Sequence, residues 1–143
     1  MKTFVFLQIC FLANWFLNHK GQKIIKSEFV DLYLTPRAIA VWLMDDGNRH
    51  RNTVRFNTNC FSKAEVQCLA DVLSRKFALD CSLHCKNRNN KTEYLLYIKT
   101  YSYPNLRELV FPIIKEVPSM LYKLPEQSLR KFRQCYINCP NNH

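Results

Sequence analysis

Seven consecutive apolar side chains, Ala38 to Met44, lie between Thr35-Pro36 on one side and Asp45-Asp46-Gly47 on the other. Thr is a good N-cap, and Pro suits the first helical position, where its missing N–H costs nothing. Gly47 fits a left-handed stop just past the last turn. The segment therefore reads as a helix of about three turns, apolar on almost every side and so buried rather than amphipathic. It ends on the wrong sign. Carboxylates in a helix's last turn are each disfavoured by roughly 0.3–1 kcal/mol when exposed, and local rules broken in this way are often found at functional sites. A divalent cation would reverse the effect, gaining from both the carboxylate and the negative helix end. Adjacent residues do not share a helix face, so one of the pair should carry such a site, and Asp46 beside Gly47 is the one free to leave the helix axis. A plain polar turn is the competing reading on composition alone. One helix-end aspartate is also a poor site for a hard cation, which wants several oxygens. A second copy of this helix could supply them, and Ala38 and Ala40 are small enough to admit it.

The rest of the chain bounds the problem. At 143 residues it is one domain with room for a core. Its 21 basic and 11 acidic side chains leave a formal charge of +10, which argues for a polyanionic partner, nucleic acid before an anionic membrane. The seven cysteines, odd in number and scattered through apolar segments, suit a reduced protein better than a disulfide scaffold. Cys81, His84 and Cys85, like Cys135, Cys139 and His143, lack the paired spacing of zinc sites, so buried free thiols are the expectation. The apolar opening from Met1 to Leu17 is interrupted by Gln8 and Asn14 and has no small-residue cleavage site behind it. It is expected to be a buried strand or helix, with a secretory signal as the alternative, and is too short and broken to span a bilayer.

Between Arg51 and Asn59 the residues alternate, with Arg51, Thr53, Arg55, Asn57 and Asn59 on one phase. Ser62 and Glu65 then form a capping box before an amphipathic helix whose apolar stripe is Val66, Leu69, Val72, Leu73 and Phe77. Two further alternating runs around Cys81–Lys86 and Glu93–Lys99 flank the polar turn "NRNNK" and read as a hairpin. A last helix covers "PNLRELVFPII". The order gives an α+β domain, an antiparallel sheet with helices on one face. The other face carries Arg51, Arg55, Asn57, Ser82, His84, Lys86, Tyr97 and Lys99, with Glu93 the only acid. A solvated face usually mixes signs. This one is expected to meet nucleic acid, strand side chains reading base edges while marginal Arg and Lys bind phosphates.

With these residues in view, "AIAVWLMDDG" resembles the motif helix of the LAGLIDADG homing endonucleases. "YLTPRAIAVWLMDDG", "FNTNCFSKAEVQCLADVLSRKF" and "PSMLYKLP" are similar to the second half of the two-motif type typified by the mitochondrial omega-intron endonuclease, and "LANWFLNHKGQKI" resembles the stretch that joins the halves. The resemblance implies an αββαββα unit with a saddle-shaped sheet. On it, residues 1–34 correspond to the connection, 35–125 to the endonuclease domain and 126–143 to a polar basic tail. It implies that two motif helices pack side by side, here through Ala38, Ala40 and Val41, each bringing one aspartate to a divalent metal, Mg²⁺ or Mn²⁺. Asp46 would be that aspartate, Asp45 a further metal ligand through its backbone carbonyl, and Lys123 would orient or activate water. The saddle residues carried over are Arg51, Arg55, Asn57, Ser82, His84, Lys86, Tyr97 and Lys99. The partner implied is double-stranded DNA, with intron RNA if the chain is a splicing maturase or a non-cleaving binder. The setting implied is an organelle, mitochondrion before chloroplast. One motif is present, so a second half or a homodimer is expected to complete the enzyme.

Overall fold

A computed structural model describes residues 25–126. The opening segment to residue 24, the tail from residue 127, and with them Cys10, Cys135, Cys139 and His143 lie outside the described residues. Along the chain the elements are α1 (Ser27–Tyr33), α2 (Pro36–Asp46), β1 (Gly47–His50), β2 (Thr53–Asn57), α3 (Lys63–Phe77), β3 (Cys81–Arg88), β4 (Lys91–Ile98), α4 (Tyr103–Ile114) and a 3-10 turn, Pro118–Lys123. From α2 to α4 this is the αββαββα order. The strands form one antiparallel sheet in the order β1-β2-β4-β3.

Local chemistry sets each boundary. Thr35 caps α2 by accepting from the Ala38 amide at 3.1 Å, with Pro36 in the first turn. Ser62 and Glu65 close a reciprocal capping box on α3, and the second oxygen of Glu65 also accepts from the Ile25 amide at 2.9 Å. One carboxylate thus starts α3 and holds down the segment leading into α1. The end of α1 is tied to α3 as well: Arg75 pairs with Asp31 at 2.8 Å, and the Lys76 ammonium donates to the carbonyls of Asp31 and Leu34. The last described residues of the 1–34 segment are therefore packed on the domain body. Asn89 and Asn90, with φ of 49° and 59°, turn the β3–β4 hairpin through the left-handed conformations that a two-residue loop demands.

The core lies between the helices and one face of the sheet. Ile39 and Leu43 of α2, Val66 and Leu73 of α3 and Leu106, Val110 and Ile114 of α4 are fully buried against Val54, Phe56 and Leu96. Trp42 stacks on Phe56 with ring centroids 4.0 Å apart, fixing α2 over β2. No described helix is long and apolar enough to cross a membrane.

Three expectations change. Arg51 is not in a strand: with Asn52 it forms the β1–β2 turn, at φ 53°, because β1 already pairs with β2 from Gly47 onward. Gly47 is not left-handed, its φ being −79°, and it opens β1 directly. Glycine is needed there for space, since a Cβ would run into the backbone and side chain of Leu43, 2.8 Å from its Cα. Nor are the described thiols all buried. Cys81 is largely covered, and desolvation pushes its thiol up to about 12, but Cys85 and Cys60 are exposed. The far end of the β3–β4 hairpin projects past the helices, so the inward phase of β3 has nothing to pack on beyond Leu83. Gly47→Ala is expected to destabilise the domain by about 1–3 kcal/mol, the cost of overpacking, read as a lower urea midpoint at unchanged slope.

Candidate functional site

The α2–β1 junction has no loop. Asp46 is the last helical residue and Gly47 the first of β1, so the acids are joined rigidly to the sheet. Both Asp45 and Asp46 are exposed. Helical spacing separates them: Asp45 follows Ala38 and Val41 along the outer flank, whereas Asp46 lies four residues after Trp42, on the flank turned towards β2. Val41 is 46 % exposed and Ala38 partly so, which leaves a narrow apolar stripe on α2. Ala40, expected on that stripe, is instead 0 % exposed beside Ile39 and Leu43 in the chain's own core. It sits two residues from Ala38 and so on another face.

No basic residue occupies the last turn of α2. A cation from 79 residues downstream takes its place. Lys123 is 7 % exposed, and its ammonium donates to the carbonyl of Met44 and, at 3.5 Å, to that of Leu43. The carbonyls that a helix end leaves without partners are thereby satisfied, and the negative end of the macrodipole is faced by a positive charge. An ammonium has three N–H donors, so one remains beyond these two. The chain just past Lys123 is pinned in turn: Tyr103 of α4, buried and with its hydroxyl pushed up to about 12 by desolvation, donates to the Pro125 carbonyl at 2.8 Å.

As to a metal, the donors at this helix end are hard oxygens, the kind that Mg²⁺ takes. Among the described residues, however, no group of three or more His, Cys, Asp or Glu side chains converges.

On the outer face of the sheet, strand register brings most of the expected residues together. Asn48 opposes Arg55, Arg55 opposes Tyr97, and Tyr97 opposes Ser82, a polar row crossing all four strands. The neighbouring row runs Asn57, Leu95 and His84, and Lys86 faces Glu93 farther along the hairpin. Within this face the Arg55 guanidinium donates to the Tyr97 hydroxyl at 3.3 Å, His84 lies 3.1 Å from Ser82 Oγ, and the Tyr97 ring is flanked by His84 and His50 at centroid distances of 4.4 and 4.9 Å. Arg51 is in the adjoining turn. Lys99 lies one residue past β4 with its ammonium over the Tyr101 ring, at the margin of the face rather than within it. Asn48 and His50 were missed by sequence reasoning. The four-residue β1 carries no apolar alternation, and a strand assigned from Gly47 was the only signal that could have found them.

Lys123→Met, which keeps the length of the side chain and removes the donors, is expected to cost about 1.5–3 kcal/mol, the range for hydrogen bonds to a charged group. Chemical denaturation would measure it, and an unchanged midpoint would contradict the capping role.

Comparison with known proteins agrees with this geometry. The chain matches the LAGLIDADG DNA endonuclease family over residues 1–106. It is 36% identical over 115 residues to the cytochrome b mRNA maturase bI2 of Saccharomyces cerevisiae, covering 78% of this chain and 26% of that protein. To the probable intron-encoded endonuclease 1 of Wickerhamomyces canadensis it is 38% identical over 121 residues, 79% of this chain and 49% of the relative. The intron-encoded endonuclease ai4 of Dictyostelium discoideum is 33% identical, with 85% and 74% covered. Among solved structures, the homing endonuclease I-WcaI bound to its DNA recognition sequence superposes with a TM-score of 0.69 at 34% identity, over 81% of this chain and 51% of that one. The chain thus spans about half or less of the first of these relatives. With its motif helix, its αββαββα order and these matches, the chain belongs to the LAGLIDADG DNA endonuclease family.

Proposed function

We propose that this chain is one half of a divalent-metal-dependent DNA endonuclease of the intron-homing kind. The observation that carries the reading is the seamless α2–β1 junction, which ties two exposed carboxylates to the edge of a basic and polar sheet face. The net charge of +10 and the relative solved with its DNA recognition sequence support the choice of partner.

In this reading the outer sheet face binds double-stranded DNA through Arg55, Asn57, Ser82, His84, Lys86 and Tyr97, with Arg51 and Lys99 on phosphates at the margins. Asp46 provides the principal oxygen ligand for Mg²⁺ or Mn²⁺, and the Asp45 backbone carbonyl is a further one. A bound divalent ion would supply charge stabilisation to the scissile phosphate and lower the pKa of water for phosphodiester hydrolysis. Lys123 holds the carboxylate-bearing helix end in place and has one N–H left for a water. A second motif helix, from another copy or from a separate unit, packs on the stripe of Ala38 and Val41 and adds the missing acid. The cytochrome b and intron-encoded relatives favour an organelle, the mitochondrion first.

A second reading rests on the maturase relative: the basic face binds intron RNA without cleaving. Incubating the purified chain with Mg²⁺ and intron-insertion-site duplexes separates the two. Endonuclease activity predicts cutting at concentrations that allow pairing, reduced at least about a hundredfold by Asp46→Asn with DNA affinity retained, since metal stabilisation is worth several kcal/mol at 1.36 kcal/mol per decade. Absence of cutting by the wild type, with RNA binding indifferent to Asp46→Asn, would favour the maturase.

A further inference from the structure

The middle of the outer sheet face holds an arginine whose surroundings suit it to one task. We infer that Arg55 is the residue through which this chain reads a guanine in the major groove, held ready for it by Tyr97. The inference rests on the reading of this face as a DNA surface and adds the base it selects.

Register places Arg55 in the interior of the four-strand row, between Asn48 and Tyr97. Two threonines hold that register. Thr53 Oγ1 donates to the Ile98 carbonyl at 2.7 Å, and Thr58 Oγ1 to the Tyr94 carbonyl at 2.7 Å, clamping β2 to β4 on either side of Arg55. The guanidinium is then fixed at its far end, where Nη1 donates to the Tyr97 hydroxyl at 3.3 Å. Tyr97 cannot swing freely, because His50 and His84 hem in its ring.

The charge and donors of Arg55 are otherwise unspent. Among the described residues its Nε is buried without a partner, and the ion pair present is between Arg75 and Asp31, elsewhere on the domain. Of five N–H donors, one is engaged. A half-buried guanidinium with so few acceptors gains most from a ligand that brings two at once. Because Nε is covered, that ligand is met end-on through the second hydrogen of Nη1 and those of Nη2. Guanine offers such a pair in O6 and N7. A phosphate oxygen would also satisfy the charge, but phosphates meet the margins of a strand face lying in the groove, where Arg51 and Lys99 are exposed. Arg55 sits inward of them. Rigidity matters as much as chemistry: a side chain already held in its bound conformation loses less entropy on contact.

Selection from a randomised duplex pool by the full chain, at two salt concentrations, tests this. Wild type is expected to enrich at least one position for G·C. Arg55→Gln should change the preference at that position from guanine to adenine, which glutamine reads through N6 and N7, by about tenfold or more, leaving the other positions unaltered. Tyr97→Phe keeps the ring and removes the anchoring oxygen, so it should weaken the guanine preference at the same position only. This variant guards against misfolding of the first. An even loss of affinity across all sequences with a shallower salt dependence would make Arg55 a phosphate contact and overturn the inference. So would an unchanged motif. If wild type enriched no motif and bound no duplex, the DNA reading of the face would fall as well, an outcome distinct from the other two.

Discussion

A buried ammonium against the end of one helix is the contact on which the rest of the arrangement depends. Helix α2 sends Ile39, Ala40 and Leu43 into the core, and its last turn carries two exposed acids and no base. Left alone, that end would combine partnerless carbonyls, the negative macrodipole and two carboxylates. Lys123 answers the first two, and leaves the acids themselves outward and unpaired by it. The helix can therefore be both a core element and a carrier of exposed negative charge. Its far end is fixed equally firmly, by the Thr35 cap and by Lys76 on the carbonyls just ahead of it. Two lysines thus close the ends of two consecutive helices.

From that rigid helix the chain passes straight into the sheet. Gly47 makes this possible by having no side chain where Leu43 already fills the space. The helices cover one face of the sheet, so the alternation of each strand divides cleanly: Val54, Phe56 and Leu96 inward, and Arg55, Asn57 and Tyr97 outward. Cross-strand pairing then gathers side chains from distant parts of the chain into rows. A face made this way is as precise as its register, which the threonines at either end of β2 help to set. Such a face can hold a side chain in place for recognition instead of ordering it on contact.

Much of this was legible in the residues because local signals agreed. The start of α2 followed from Thr35 and Pro36, and its end fell at Gly47 as expected, though not through a left-handed turn. Helix α3 followed from its capping box and stripe, and the outward phase of β2, β3 and β4 from simple alternation. What escaped depended on tertiary context. Nothing near α2 announces that Lys123 will cap it, since the partners are 79 and 80 residues apart. Ala40 looked available for a partner helix because small residues permit close approach, yet the same smallness lets the chain's own core close over it. Cys85 shares the inward phase of β3, but the hairpin outruns the helices there. The short β1 has no apolar alternation at all, so Asn48 and His50 joined the outer face unannounced.

We propose that a divalent ion enters at the α2–β1 junction, and paramagnetic Mn²⁺ tests this directly. Titrated into the isotopically labelled full chain with duplex DNA, Mn²⁺ should first broaden the amide signals of Asp45, Asp46 and Gly47, followed by those around Lys123. Signals from the β3–β4 hairpin tip should persist. Broadening centred instead on Glu93, Asp71 or another surface acid, with the junction signals intact, would contradict the account.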